Sequence, residues 1–473
     1  MPQTLEASDA SAPTAPDIEI SEALIRRFDR SGPRYTSYPT ADRFFQDFPA
    51  QPYIHELSRR ALSSSNPPLS VYLHIPFCQS LCYFCACNKI ITQDRSKSEQ
   101  YLDYLLREID MVTQYMGEDR RTEQLHLGGG SPTFLDNEQL TRLMAKLKEQ
   151  FAFTDDAELG IEIDPRTLAE GTLQNLAALG FNRTSFGVQD FDPNVQKAIN
   201  RIQPFEMVKR AIEESRAAGF QSINTDLIYG LPLQTLESFA ITIDSLVQLR
   251  PDRIALYNYA HLPMRFKAQR LINEEELPDA DQRLQLFLMS SQRLLDAGYV
   301  YIGLDHFALP TDELNLARLD GSLHRNFQGY TTRAACDLVS FGVSSIGQVG
   351  TMHVQNARSL RNYYADIDRG RLPIERGIVM QQDDRLRAEV IMHLMCSMPV
   401  PILRLEARYG IDFASYFSAE LQELNSYADA GLLTVDAQSI QVLPKGRLFV
   451  RAYSMVFDKY LSQESGARYS RLI

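Results

Sequence analysis

The chain has 473 residues, 44% hydrophobic and 23% charged, with a formal net charge of -12. That length suits one large domain with appendages, or two to three domains, at ordinary globular composition. The acidic balance excludes a broad nucleic-acid surface, which would carry a basic footprint. No stretch approaches the roughly 18 consecutive apolar residues of a membrane span.

Residues 1–20 are rich in Ala, Ser, Pro and Asp and poor in large apolars, the composition of a disordered tail. Met1 to Glu19 lacks the basic and apolar regions of a secretory signal, so a cytoplasmic protein with reduced thiols is expected. Residues 21–69 read as an N-terminal arm. Leu24-Ile25-Arg26-Arg27-Phe28 has helical character, whereas Gly32 to Thr40 carries two prolines and is expected to be extended.

From residue 70 a regular alternation begins. Short apolar runs at 71–76, 124–127, 158–163, 183–188, 222–228 and 253–259 are separated by segments of helical periodicity. Ser96-Lys-Ser-Glu99 reads as a capping box opening a helix whose face carries Leu102, Leu105, Ile109, Val112 and Met116. Asp136 opens another, with Leu140, Leu143, Met144 and Leu147 on one face. Such repetition predicts parallel strands with right-handed crossovers. Six units fall short of the eight of a closed barrel, and periodicity does not separate a partial barrel from a flat doubly wound sheet. A helix around 280–297 and candidate strands Tyr299 to Gly303 and Leu338 to Val343 follow.

After about residue 372 the pattern changes to helices near 382–396, 401–408 and 415–429. Two strands, Leu432 to Val435 and Ile440 to Leu443, follow as a hairpin, and Lys445 to Tyr460 is expected to close as a helix. Helices followed by a hairpin resemble a winged-helix module. Residues 374–473 nevertheless hold eleven Lys or Arg against twelve Asp or Glu, which favours a packed cap over a DNA-binding wing.

The chemistry concentrates after the first apolar run, where Cys78, Cys82, Cys85 and Cys87 fall within ten residues. Clustered cysteines in a reducing compartment read as metal-binding or catalytic. Structural zinc would need a fourth ligand at finger-like spacing, and a disulfide is disfavoured by compartment. Three thiolates spaced C-x3-C-x2-C fit a [4Fe-4S] cluster with one iron left open, since four cysteines are its usual complement. Cys336 and Cys396 stand apart and read as small buried hydrophobes.

The second strand runs into Gly128-Gly129-Gly130-Ser131-Pro132-Thr133, where the backbone can approach a ligand closely. Ligands of parallel α/β folds bind at the carboxyl ends of the strands. Later strands end there in polar residues: Glu162 and Asp164, Gln189 and Asp190, Asp226, then Asn258 and His261. Arg201 follows the fourth unit and is suited to two-point pairing with a carboxylate.

These stretches together resemble a radical S-adenosylmethionine (SAM) enzyme of the oxygen-independent coproporphyrinogen III oxidase, or HemN, family. The resemblance runs from about Arg34 to the end. PRYTSYPT (33–40), HIPFCQSLCYFCACNK (74–89), LGGGSPT (127–133), IEIDPR (161–166) and GVQDF (187–191) carry it, with DLIYGLP (226–232), YNYAHLP (257–263), DHFA (305–308) and HRNFQGYTT (324–332). Ser131 stands where Thr is usual, keeping a hydroxyl.

The resemblance implies a partial (β/α)6 TIM-like barrel over 70–371, with the N-terminal arm and a mostly helical, winged-helix-like C-terminal domain over 372–473. It assigns the cluster to Cys78, Cys82 and Cys85. SAM contacts fall to Tyr72, Phe84, Gly129, Gly130, Ser131, Glu162, Gln189, Arg201, Asp226, Ala260 and Ile346. The open iron would chelate the methionyl amine and carboxylate, with Arg201 pairing that carboxylate. Gln189 and Asp226 would hold ribose hydroxyls, and Ala260 backbone would meet adenine.

Two SAM molecules are implied, with Glu162, Phe327, Gln328 and Ile346 near the second. Cys87, one residue past Cys85 and too close to share the cluster, is implied to act beside SAM or substrate. The implied reaction is a 5'-deoxyadenosyl radical converting two propionates of coproporphyrinogen III to vinyl groups, giving protoporphyrinogen IX. A monomer served by an external one-electron donor such as flavodoxin or ferredoxin is expected. A haem-handling radical SAM relative and a haem chaperone are the alternatives. Four substrate carboxylates need local cations in an acidic chain, and Arg34 and Arg325 are the expected ones.

Overall fold

The computed structural model describes residues 18–334 and 336–461. The tail expected over residues 1–20 therefore lies, for 1–17, outside the described residues, as does the segment 462–473.

Six parallel strands form the frame: Leu69–Ile75 (β1), Arg121–Gly129 (β2), Ala152–Ile163 (β3), Arg183–Gln189 (β4), Ser222–Tyr229 (β5) and Arg253–Asn258 (β6). Each pairs in parallel with the next in sequence order. Helices Ser96–Thr113, Asn137–Gln150, Thr172–Leu179, Phe205–Ala218 and Leu236–Leu249 make the crossovers. Along the strands, residues alternate between two very different faces. Leu125, Leu127, Ile161, Phe186, Ile223, Leu227, Ile254 and Leu256 are almost wholly buried in the main apolar core. Their neighbours Gln124, His126, Glu158, Glu162, Arg183, Asn224, Asp226 and Arg253 line a polar cavity of about 180 Å³ on the other face. The apolar runs thus mark the helix-covered side, and the polar residues between them line the concave side.

The sheet does not close through a seventh and eighth strand–helix unit. Beyond β6 it adds His306–Ala308 and Val300–Gly303, both antiparallel. Beyond β1 it adds Asp337–Phe341, parallel to β1. Ile346–Val349, Met352–Asn356, Ile374–Val379 and the two-residue strand Phe45–Gln46 follow, each antiparallel to its neighbour. This extension curls beside the rim of β1 and brings Ile346, Gln355 and Arg376 to the same cavity as the cysteine loop.

The helix at Ser96 starts differently from its expected capping box. Arg95 is the cap residue and makes no side-chain cap bond. Ser96 Oγ instead donates to Asp94 at 2.6 Å, and Glu99 accepts from Gln139 and Arg142 on the next helix. Tertiary partners outcompeted the local motif. At Asp136 the box forms with Gln139.

The C-terminal part holds helices Gln382–Met395, Ile402–Tyr409, Phe413–Tyr416 and Ser418–Ala428. Its sheet, Val400–Pro401, Ser439–Val442 and Leu433–Val435, has one strand more than the expected hairpin. The expected closing helix begins as a 3-10 turn, Pro444–Phe449, before Val450–Val456. The N-terminal arm packs here. Arg451 Nε donates to Pro33 O at 3.0 Å and Tyr35 Oη to Asp458 at 2.8 Å, while Phe28 and Tyr427 lie 4.9 Å apart. No helix among the described residues is long and apolar enough to cross a membrane.

Candidate active site

The cysteine loop is pinned at both ends. Phe77–Cys78 pairs with Ile90–Ile91, and Thr92 N donates to Cys78 O at 3.0 Å. Between them, Cys85 N turns back to Cys82 O, and Tyr83 N reaches Ile199 O at 3.0 Å. Asn200 Nδ2 holds Leu81 O at 2.7 Å. The loop is therefore docked on the segment after β4, which also carries Arg201.

Cations meet the thiols. Arg166 Nη2 lies 3.3 Å and Arg201 Nη1 3.4 Å from Cys82 Sγ. Asp164 bridges both guanidinium groups, at 2.6 and 3.3 Å. Lys89 Nζ donates to Cys85 O at 2.8 Å. A hydrogen bond from Cys87, followed by the positive charge of Lys89, carries the Cys85 thiol down to about 6 against the effect of burial. Burial, then the neighbouring Cys85 and Cys82, pushes Cys78 up to about 12. Three sulfurs crowded in one loop, with two guanidinium groups and an ammonium close by, fit an anionic thiolate cluster.

Beside the loop, the end of the second strand packs closely on its stem. Gly129 has φ 115°, and a Cβ there would stand 2.6–2.8 Å from the His74 ring. A Cβ on Gly130 would meet the Pro76–Phe77 backbone at 2.7–2.8 Å. Gly130 N donates to Ile75 O and Ser131 N to Phe77 O, both at 2.8 Å. The glycines let the second strand's end lie directly on the cysteine-loop stem. His74 Nε2 donates to Asn88 O at 2.9 Å, so Nδ1 accepts from the Tyr72 hydroxyl at 3.1 Å. Burial lowers the His74 pKa, which keeps the ring neutral in this role.

Glu162 accepts from Gly129 N at 3.0 Å and lies 3.4 Å from His126 Nε2. Burial pushes its carboxyl up, but these hydrogen bonds and His126 outweigh it, leaving Glu162 below its ordinary value. Asp226 behaves oppositely. Burial, then the Glu162 charge, raises it to about 7, and Asn224 Nδ2 donates to it at 2.9 Å. Asp190, one of the polar strand ends, has a local structural role. It accepts from Thr242 at 2.7 Å and Gln234 at 2.6 Å, tying β4 to the helix after β5.

Several buried polar atoms here have no protein partner: Gln189 Oε1, Arg201 Nε, Asn258 Oδ1 and Gln328 Nε2. Gln189 also holds a positive φ of 68°. Buried polar atoms are rarely left unpaired, so these fit a bound polar ligand such as SAM. Gln269, which sequence reading missed, donates to both Phe84 O and Ala260 O, at 3.0 and 3.1 Å. It fixes the loop aromatic beside the end of β6. Arg166 was also missed, although it stands inside the quoted IEIDPR stretch.

A larger cavity, about 850 Å³, opens on this rim and is lined by Tyr72, Cys87, Glu162, Phe327, Gln328 and Ile346, among others. Phe327 and Gln328 sit at the tip of the hairpin His324–Asn326 and Gly329–Thr331. Cys87 faces this cavity and is exposed. The expected substrate cations lie elsewhere. Arg34 pairs with Asp305 at 2.5 Å, and Arg325 is buried, its Nε donating to Tyr35 O at 3.2 Å. Their stretches fasten the N-terminal arm to the barrel end, which draws both guanidinium groups away from the cavity.

A parallel sheet bearing a cysteine loop and a glycine rim at the carboxyl ends of its strands defines a radical SAM fold. The Radical SAM superfamily model matches residues 72–246, and the HemN C-terminal domain model matches residues 380–449. The chain is 48% identical over 452 residues to the oxygen-independent coproporphyrinogen III oxidase of Pseudomonas aeruginosa, covering 95% of this chain and 98% of that one. The Escherichia coli protein of that name is 46% identical, with 96% and 99% covered. The solved structure of coproporphyrinogen III oxidase (HemN) from Escherichia coli, a radical SAM enzyme, superposes with a TM-score of 0.89 at 45% identity, covering 94% of this chain and 100% of that one. The chain belongs to the oxygen-independent coproporphyrinogen III oxidase family, whose cofactors are a [4Fe-4S] cluster and SAM.

Proposed function

We propose that the protein oxidatively decarboxylates two propionates of coproporphyrinogen III to vinyl groups without oxygen, giving protoporphyrinogen IX for haem synthesis. The observation that carries this reading is the cavity of about 850 Å³ that meets Cys87, Glu162 and the glycine rim beside the cysteine loop. Its volume is toward the upper end for a small-molecule site and suits a macrocycle.

Cys78, Cys82 and Cys85 hold the cluster, with Arg166 and Arg201 offsetting its negative charge at Cys82. Cluster and SAM together supply one-electron reductive cleavage of SAM and hydrogen-atom abstraction. The chain positions the reactants. Gly129 and Gly130 admit SAM against the strand ends, and the unpaired Gln189 and Arg201 atoms meet its polar groups. Asp226 lies toward the ribose, while Gln269 holds the Ala260 carbonyl segment toward adenine. Phe84, Tyr72 and Ser131 complete this side. Glu162, Phe327, Gln328 and Ile346 line the space for a second SAM. Each propionate loses a hydrogen atom from its β-carbon to the deoxyadenosyl group, then CO2, with one electron passing to an external one-electron acceptor. Cys87 faces that event from the cavity wall. The protein acts as a cytoplasmic monomer fed by an external one-electron donor such as flavodoxin or ferredoxin.

Anaerobic incubation with SAM, a low-potential reductant and coproporphyrinogen III tests the reading. It predicts the divinyl product and methionine. Porphyrin methylation or ring opening, or haem binding without SAM cleavage, would contradict it.

A further inference from the structure

Part of the wall of the large cavity is cationic. Arg265, Arg358 and Arg376 all line it, although the chain carries a net charge of -12. Arg376 stands on the sheet extension, next to Gln355 across the strand pair. Its Nη1 donates to Gln355 Oε1 and its Nη2 to Phe44 O, both at 3.2 Å, while Nε is buried with no partner. Neither partner is charged. Arg358 has a long 3.5 Å contact to Glu375 and remains 53% exposed. Arg265 makes no ion pair within 4 Å among the described residues and stacks over Phe266 at 5.5 Å. Asp42, the nearby carboxylate on the arm, is engaged by Arg43 at 3.2 Å.

Like charges gathered on one concave wall are unfavourable until an anion arrives. The Arg376 guanidinium registers this: burial, then the positive charge of Arg358, holds it below its ordinary value. Phe266 and Phe327 line the same cavity, and buried Phe44 backs it against Arg376 at 6.0 Å and Phe327 at 6.2 Å, so apolar surface lies beside the cations. That pairing suits a flat, apolar ring carrying carboxylates.

We propose that Arg358 and Arg376 form a carboxylate-binding wall that receives the propionates of coproporphyrinogen III that are not being oxidised. This rests on the function proposed above. The reacting propionate leaves as neutral CO2. An arginine paired to it would stabilise the starting carboxylate more than the transition state and slow the reaction. Propionates that keep their charge throughout carry no such penalty, so the arginines belong with them. Asn88, the residue after Cys87, donates to Arg358 O at 3.1 Å, so this cationic patch is tied to the cysteine loop and holds the macrocycle by its non-reacting propionates within reach of it.

The same chemistry has a second source, the methionyl carboxylate of a second SAM, and the test separates the two. R376Q and R358Q are prepared with a reconstituted cluster. Three quantities are measured: KM and kcat for coproporphyrinogen III, SAM retained per cluster, and fluorescence titration with coproporphyrin III or its tetramethyl ester. Charge-assisted pairs of this kind are worth enough that each variant should raise KM and weaken coproporphyrin binding by about tenfold or more. The expected kcat stays within about threefold, with cluster absorbance and SAM retention unchanged, and the preference for acid over ester shrinks. R358Q, at an exposed position, keeps the test decisive if R376Q folds poorly. Loss of one SAM per cluster with unchanged porphyrin binding would assign the wall to SAM and overturn the proposal. Wild-type values throughout would overturn it outright. Failure of the wild-type enzyme to turn over coproporphyrinogen would instead sink the function reading.

Discussion

The loop thiols and Cys396 are the same functional group in opposite company. Cys396 is 1% exposed and packs with Ile302, Ala308, Leu314 and Leu323, with Met392 Sδ 3.8 Å from its sulfur. Burial pushes its thiol up to about 12. Cys78 reaches about 12 as well, so acidity alone does not tell the two settings apart. What differs is the surroundings. Cys82 has two guanidinium groups within 3.4 Å, and Cys78 feels both Cys85 and Cys82 beside it. A thiol among alkyl groups fills space, whereas thiols gathered with cations are prepared to become thiolates around a metal cluster.

Breaking the loop set should have the largest effect. Replacing Cys78, Cys82 or Cys85 by Ser should abolish the iron–sulfur absorbance and SAM cleavage together, measured on the reconstituted protein. Cys87 sharpens the comparison from inside the loop, because it faces the cavity. Cys87→Ser should keep full iron and sulfide content while turnover falls by roughly a hundredfold, on the scale of a positioned reacting group. Wild-type turnover would reduce it to a packing residue.

The cations come next. Removing Arg166 takes a positive charge from Cys82, so the reduced cluster loses stabilisation and its potential should move negative. Arg166→Gln should slow turnover by roughly tenfold, and an EPR-monitored redox titration reads the shift directly. The smallest effect belongs to Cys396. Cys396→Ala should leave activity intact and cost about 1 kcal/mol of stability, as for a small buried side chain, seen as a modest fall in thermal midpoint.

The sequence announced the strands because each has an apolar face against helices, as Leu125, Leu127 and Ile161 do. The polar members of the same strands, Glu162 and Asp226 among them, were readable as a site by their places at strand ends. What it could not show was the path of the sheet beyond β1 and β6. His306–Ala308 and Asp337–Phe341 have ordinary strand composition, and only long-range pairing places the first antiparallel to β6, carrying its hairpin partner Val300–Gly303 with it, and the second parallel to β1. Gln269 and Arg166 escaped because their roles depend on contacts with Phe84 and Cys82, 185 and 84 residues away. Arg34 and Arg325 were misplaced for a related reason. Their charge and their place in the PRYTSYPT and HRNFQGYTT stretches nominated them, but Asp305 and the Tyr35 carbonyl hold them.

The central claim is that three loop thiols hold a cluster whose open iron takes SAM. EPR of the anaerobically reduced protein, recorded with and without SAM, tests it most directly. The account predicts one [4Fe-4S] signal per chain whose g values shift when SAM is added. A signal that SAM leaves unchanged, or one that persists in the triple variant lacking Cys78, Cys82 and Cys85, would contradict it.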